Sequence, residues 1–124
     1  MASLKGKKLG RHVLVDFFGV APAKLRQRKT LMNVLCSALR KEDFSIIERT
    51  GSHKFQGGGQ GVTGFVLLAQ SHAAFHTYPE YGYLALDIYS CGTHDPRPIV
   101  KAVQTFLSPK KVSRIFHRRG VRVI

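Results

Sequence analysis

Cysteine is scarce in this chain. Only Cys36 and Cys91 occur, in segments of different character, which excludes a disulfide framework and fits reduced thiols in a cytoplasmic compartment. No apolar run has the length needed to cross a bilayer, so no membrane partner is expected. The first ten residues carry Lys5, Lys7 and Lys8 but lack the apolar stretch and cleavage pattern of a secretory signal. They read as a loose basic arm, 1–10, ahead of one domain, 11–124. At 124 residues that domain can bury a core but is short for an enzyme that must also wrap a substrate, so a shared interface is expected. Acidic residues are also few, 7 against 20 basic ones, for a net charge of +13. Such a field attracts phosphates and nucleic acid without specificity. The basic residues cluster at Lys5–Arg11, Lys24–Lys29, Arg40–Lys41, Lys110–Arg114 and Arg118–Arg122, between or outside the apolar-patterned elements. No base-stacking or groove-reading motif accompanies them, so nucleic-acid binding is not expected as the main activity.

What is present is a pattern of strands interrupted by two helical stripes. His12 to Phe18 is β-branched and aromatic and stops at Gly19, which predicts a strand. Pro22 opens a polar connection. Leu31, Val34, Leu35, Ala38 and Leu39 recur at helical spacing with Thr30 at the N-cap position, and Cys36 beside the stripe is a packing residue. Phe44 to Arg49 and Ser52 to Phe55 read as short strands around a Gly51 turn. Residues 56–61, QGGGQG, form a loop that is mobile by its own propensities and lacks the lysine and hydroxyl of a phosphate-binding loop. Val62 to Ala69 is a nearly continuous apolar run, which predicts a strand covered on both faces. Ser71 to Thr77 is extended and Pro79 ends it. Tyr83 to Tyr89 alternates, with Leu84, Leu86 and Ile88 facing a core. Asp95 at the N-cap with Pro96 in the first turn opens a second helix striped by Ile99, Val103 and Phe106. Val112 to Phe116 is a last short strand. This order predicts an α+β two-layer sandwich, an antiparallel sheet with two helices on one face.

The chemistry-bearing residues concentrate between Gly61 and Gly92. Ser71 is no hydrolase nucleophile, because an elbow needs glycine two residues to either side and the chain has Ala69 and Ala73. His72 and His76 lack a carboxylate between them and lie on extended chain, so with Cys91 they make at most a poor metal site, and none is expected. Cys91 ends a strand at the rim of the sheet, where a thiol can serve as acid or nucleophile or be merely tolerated. Phe55 either stacks on a flat ligand or packs, and Glu80 is a ligand contact or a solvated turn residue. The residues alone leave these alternatives open.

The segments GRHVLVDFFG, SHKF, GVTG, QSHAAFHTYPEYGY, LDIYSCG and DP closely resemble the small prokaryotic S-adenosylmethionine decarboxylase proenzymes, over roughly Gly10 to Phe106. That resemblance implies a chain that makes its own cofactor. The serine matching Ser71 attacks the carbonyl of the residue before it, an acyl shift gives an ester, and elimination splits the chain between Gln70 and Ser71, leaving a pyruvoyl group on the downstream piece. His76 and the hydroxyl of Thr63 match the residues that assist this processing. The pyruvoyl carbonyl forms a Schiff base with the substrate and draws electrons from the departing carboxylate. Cys91 matches the proton donor, and Phe55 and Glu80, with Tyr78 beside them, match the substrate-binding positions. The family resemblance further implies a homodimer with sites at or near the interface, and a product that donates aminopropyl groups for polyamine (spermidine) synthesis. Three departures stand out: Gln70 in place of the usual glutamate, Thr63 in place of serine, and a longer, glycine-rich 56–61 loop. The last leaves room for a pyruvoyl-dependent arginine or ornithine decarboxylase on the same scaffold. From another class, a non-catalytic basic protein binding nucleic acid or a partner would explain the charge, but has no reason to hold Ser71, His76 and Cys91 together.

Overall fold

The computed structural model describes Ser3 and residues 9–120, excepting the side chains of residues 50–53, so most of the expected basic arm lies outside the described residues. In chain order the elements are β1 (Gly10–Phe18), α1 (Pro22–Leu25), α2 (Arg28–Lys41), β2 (Ile46–Lys54), β3 (Val62–Leu68), β4 (Ser71–Tyr78), a 3-10 turn at Pro79–Tyr81, β5 (Tyr83–Cys91), α3 (Arg97–Leu107) and β6 (Lys111–Arg119). The strands form one six-stranded antiparallel sheet in the order β2-β3-β4-β5-β1-β6. This is the α+β two-layer arrangement that the element order predicts, with the short α1 added in the connection that Pro22 opens.

Alternation decides which side each residue takes. Register aligns Val13 with Ile88, Val15 with Leu86 and Phe17 with Leu84, then Ala73 and Phe75 with the same β5 residues, so one face of the sheet is continuously apolar. That face is buried together with Leu31, Leu35 and Leu39 of α2 and Ile99, Val103 and Leu107 of α3. Gly64 is required in β3 because a Cβ there would come within 2.4 Å of the Phe75 ring. Thr77, the polar residue on this face near the end of β4, is fully engaged. Its hydroxyl donates to the Leu25 carbonyl at 2.7 Å and accepts the Val62 N–H at 2.8 Å, tying α1 and β3 to β4.

Several local expectations are corrected. β3 is not covered on both faces: Val62, Gly64, Val66 and Leu68 are buried, whereas Phe65 and Leu67 are each 38% exposed. The two stretches around Gly51 are one strand, with register irregularities between Ile46 and Glu48 and between Thr50 and His53. α2 starts at Arg28 rather than after Thr30, because the Leu31 N–H already bonds to Gln27 O at 2.9 Å. Pro96, not Asp95, is the residue before α3. The Asp95 carboxylate still accepts the Arg97 N–H at 3.0 Å and grips its guanidinium at 2.8 Å, which holds the Asp95 carboxyl below its ordinary range. β6 runs well past the expected Val112–Phe116 because β1 pairs with it along its whole length.

Among the described residues no helix covers the second face of the sheet, and its exposed residues include Leu14, Phe18, Phe65, Leu67 and Tyr78. None of the described helices is long and apolar enough to cross a membrane.

Candidate active site

At one end of β4 the chain leaves β3 through Ala69 and Gln70. Gln70 has φ +56°, a left-handed conformation that costs a residue with a Cβ about 1–2 kcal/mol. Ser71 follows immediately as the first residue of β4, turned to the helix side and only 7% exposed. Because β5 runs antiparallel to β4, its last residue, Cys91, comes alongside. The Cys91 N–H donates to Ser71 Oγ at 2.9 Å.

The thiol of Cys91 lies in a small polar cluster made by the tight loop after β5. Its Sγ is 3.5 Å from Thr93 Oγ1 and 3.7 Å from His94 Nδ1, and those two atoms are 3.0 Å apart. The loop is shaped by the His94 N–H bonding to the Cys91 carbonyl at 3.2 Å and by the Ser90 hydroxyl donating to the His94 carbonyl. Hydrogen bonds from Thr93 and then His94 lower the Cys91 thiol to about 7, with burial opposing them. Cys36, by contrast, is buried in the core, and desolvation raises its thiol despite nearby Arg49 and Arg40. The rim thiol is thus the more acidic of the two and the core thiol the less.

At the far end of β4, on the open face, Thr63 Oγ1 and His76 Nδ1 are 3.0 Å apart, since register places Thr63 opposite His76. They line a cleft of about 280 Å³ together with Phe55, Tyr78, Glu80 and glycines of the 56–61 loop. All three expected substrate-binding residues thus share one cleft with the two expected processing residues. The loop itself is not free. Gly59 N–H donates to Glu80 Oε2 at 3.0 Å, Arg26 Nε donates to Gly59 O at 3.1 Å, and Phe55 N–H bonds to Gly61 O at 2.7 Å. Gly61 cannot carry a side chain, as a Cβ would lie 2.2 Å from the Thr77 carbonyl oxygen. Tyr78 stacks on Tyr83, which stacks in turn on Phe18, with centroids 5.6 and 5.4 Å apart. The Tyr83 hydroxyl, desolvated by burial and then bonded to Asp16, is pushed up to about 12.

Within one chain these two groups stay apart. Ser71 and His76 are separated by five residues of extended strand, about 17 Å. The same spacing removes the metal reading of His72, His76 and Cys91, because His72 and His76 are about 13 Å apart along β4. A different trio does converge. His12, His72 and Asp87 offer ligand atoms within 4.8 Å of one another on the open face. His12 Nε2 is 2.5 Å and His72 Nε2 3.7 Å from Asp87 Oδ1. Arg119, a donor only, meets His12 at Nδ1, 3.1 Å away, so Nε2 carries the proton toward Asp87 and the geometry is that of a hydrogen-bonded network. Sequence reasoning missed this trio and the Thr93–His94 pair. The first depends on strand order, which nothing local announces; the second was signalled by two polar residues within three positions of the rim cysteine. A larger open groove of about 850 Å³ between α3 and β6, lined by Arg97, Lys101 and Arg114 among others, holds none of the expected site residues.

The sequence model of S-adenosylmethionine decarboxylase matches residues 11–120. The chain belongs to the S-adenosylmethionine decarboxylase family. It is 36% identical over 118 residues to the S-adenosylmethionine decarboxylase proenzyme of Aquifex aeolicus, spanning 93% of this chain and 84% of that one. It is 35% identical over 116 residues to the proenzyme of Methanococcus vannielii, spanning 93% of each. Its fold is similar to the crystal structure of the Aquifex aeolicus adenosylmethionine decarboxylase, with a TM-score of 0.80 and 34% identity over 95% of this chain and 96% of that one. Against this family background, Ser71 with Cys91 and Thr63 with His76 are the two halves of the candidate site.

Proposed function

We propose that this chain is a self-processing decarboxylase that splits between Gln70 and Ser71 into chains 1–70 and 71–124, turns Ser71 into a pyruvoyl group, and acts on S-adenosylmethionine. The observation that carries this reading is the strained Gln70 directly before a buried Ser71 that contacts Cys91, in a family whose relatives are named proenzymes. A left-handed residue at the attacked carbonyl raises the energy of the bond to be rearranged, and burial keeps water from the ester that replaces it. The residues fit self-processing: Ser71 Oγ accepts the Cys91 N–H at 2.9 Å, a donor to the oxygen that would take up negative charge when it leaves with the upstream carboxylate on elimination. A pyruvoyl carbonyl supplies the electron sink for loss of carbon dioxide from an α-amino acid.

The chain's own side chains supply the rest. The Thr63–His76 pair joins a hydroxyl to an imidazole, the parts needed to hold and move a proton during processing. Phe55 and Tyr78 offer aromatic faces and Glu80 a carboxylate to a flat, ribose-bearing cation. Cys91, with a thiol lowered to about 7, returns a proton to the substrate's α-carbon.

A second copy shortens the roughly 17 Å between these groups to about the spacing of two packed sheets. Two open sheet faces packed about a two-fold axis that runs across the strands point their strands in opposite directions. This lays the His76 end of one protomer over the Ser71 end of its partner, at the roughly 10 Å spacing of packed sheets. The exposed Leu14, Phe18, Phe65 and Leu67 give that face the apolar character a homodimer interface needs. The product of this reaction donates aminopropyl groups for polyamine synthesis. The alternatives, a pyruvoyl-dependent arginine or ornithine decarboxylase and a non-catalytic basic binding protein, gain no support from the relatives.

Intact mass spectrometry of the purified protein tests the reading. Two fragments meeting at Gln70 and Ser71, the smaller with a pyruvoyl mass, are expected, whereas one stable full-length chain would overturn it. Release of carbon dioxide from S-adenosylmethionine, arginine and ornithine in parallel tests the substrate, and activity on an amino acid alone would overturn that part.

A further inference from the structure

Cys91 is not the whole of the proton-delivery device. Its sulfur sits at one corner of a triangle whose other corners are Thr93 Oγ1 and His94 Nδ1, with sides of 3.5, 3.7 and 3.0 Å. The imidazole is held by a ring contact and by its own backbone. Phe44, from the link between α2 and β2, packs on its ring at 4.8 Å, and the His94 backbone is pinned through its N–H to Cys91 O and through its carbonyl to the Ser90 hydroxyl. A ring fixed in this way keeps Nδ1 beside the thiol, and half-burial leaves the imidazole in reach of water.

We propose that His94, with the Thr93 hydroxyl, is a positioning residue that stabilises the Cys91 thiolate and returns its proton after each turnover. This rests on the reading of Cys91 as the proton donor. The electron pair left at the substrate's α-carbon by departing carbon dioxide takes the Sγ proton, leaving a thiolate. The His94 imidazole then passes its Nδ1 proton to Sγ, directly or through Thr93 Oγ1, and regains one from solvent, the single proton that replaces carbon dioxide on the product. Atoms and charge balance without any further reactant. The other groups facing the thiol do not compete for this role. Ser71, from β4, accepts the Cys91 N–H and is the smallest of the causes that lower the thiol, behind Thr93 and His94. Arg11, from β1, donates to Gly92 O at 3.2 Å and lies 3.9 Å from Asp95, and Asp95 is engaged by Arg97 at 2.8 Å. The lowering of the thiol to about 7, caused first by Thr93 and then by His94, agrees with the geometry. A donor whose acidity matches the working pH is both a competent acid and easily recharged.

The test uses the full chain as it is purified, with iodoacetamide alkylation of Cys91 followed by peptide mass against pH. His94→Leu keeps an apolar contact for Phe44 and removes the donor. Its alkylation midpoint should rise by a pH unit or more from about 7 toward the ordinary thiol value. The alkaline limb of kcat should move up with it, and kcat at pH 7 should fall about tenfold with KM unchanged. Thr93→Val should raise the midpoint as well. His94→Asn, which keeps a hydrogen-bond donor near Nδ1 but cannot titrate, should hold the midpoint closer to that of the parent and still lose kcat. Midpoints unchanged in both His94→Leu and Thr93→Val would overturn the proposal even if kcat falls. Should His94→Leu fail to fold, the exposed Thr93→Val and the near-isosteric His94→Asn decide the matter. A parent chain that neither cleaves nor decarboxylates would sink the proposed function instead, and the alkylation midpoints would still report whether the pair exists.

Discussion

Gln70 is a residue under conformational load. Replacing it with glycine, which takes positive φ freely, removes a cost of about 1 kcal/mol from the folded precursor. In a Ser71→Ala background, where neither chain can split, Gln70→Gly should therefore raise unfolding stability by about that amount in urea titration. With Ser71 restored, the same change should slow the appearance of fragments several-fold on denaturing gels, because the attacked carbonyl starts from a relaxed state. Cys91 makes the complementary case. Its backbone N–H donates to Ser71 Oγ at 2.9 Å, while Ser71 is the smallest of the causes acting on the thiol itself, so Cys91→Ser should leave fragment formation intact while turnover falls by about 100-fold or more. Loss of both would show that the thiol itself serves processing. Neither residue's situation is written in its neighbours. A positive φ at a glutamine and a shifted thiol arise from how the β3–β4 turn and the loop after β5 are closed.

Among the elements, β4 does the most positioning. One of its faces contributes Ala73, Phe75 and Thr77 to the core and the other presents His72, His76 and Tyr78, so a single strand spaces the site's halves at fixed intervals. Thr77 is where β4, β3 and α1 are locked together. Thr77→Val keeps the volume but leaves the Val62 N–H and the Leu25 carbonyl without their partner, and should cost about 1–3 kcal/mol on thermal or urea unfolding. A loss confined to activity would instead mean that β3 holds the cleft without this link. The alternation in β5 and the stripes of α2 and α3 were legible because burial on one side imposes a period. β3 was misread as buried on both faces because Phe65 and Leu67 are apolar while lying on the face without helices. Composition cannot distinguish a residue covered by its own chain from one held for another. The starts of α2 and α3 were off by one to three residues, since backbone bonds, rather than the polar side chains nearby, define where each helix begins.

At the scale of the whole molecule, the separation of Ser71 from His76 yields the sharpest test of the proposed shared site. Neither a Ser71→Ala chain nor a His76→Ala chain should process efficiently alone. Co-expressed, the Ser71→Ala protomer lends its intact Thr63–His76 pair, and up to about half of the His76→Ala chains, those in mixed dimers, should be cleaved, as measured by intact mass. No cleavage in the mixture would place both groups' action within one protomer and refute the two-fold arrangement. By itself the sequence determined the strand and helix content, the α+β class and, through QSHAAFHTYPEYGY and LDIYSCG, the family and its candidate residues, because patterning and motif are local properties of the chain. Only the tertiary structure decided that Thr63, His76, Phe55, Tyr78 and Glu80 share one cleft while Ser71 and Cys91 sit about 17 Å away, and that Thr93 and His94 surround the thiol. Those relations depend on strand order and register, which are set by packing the apolar face under α2 and α3 and leave no mark on any one segment.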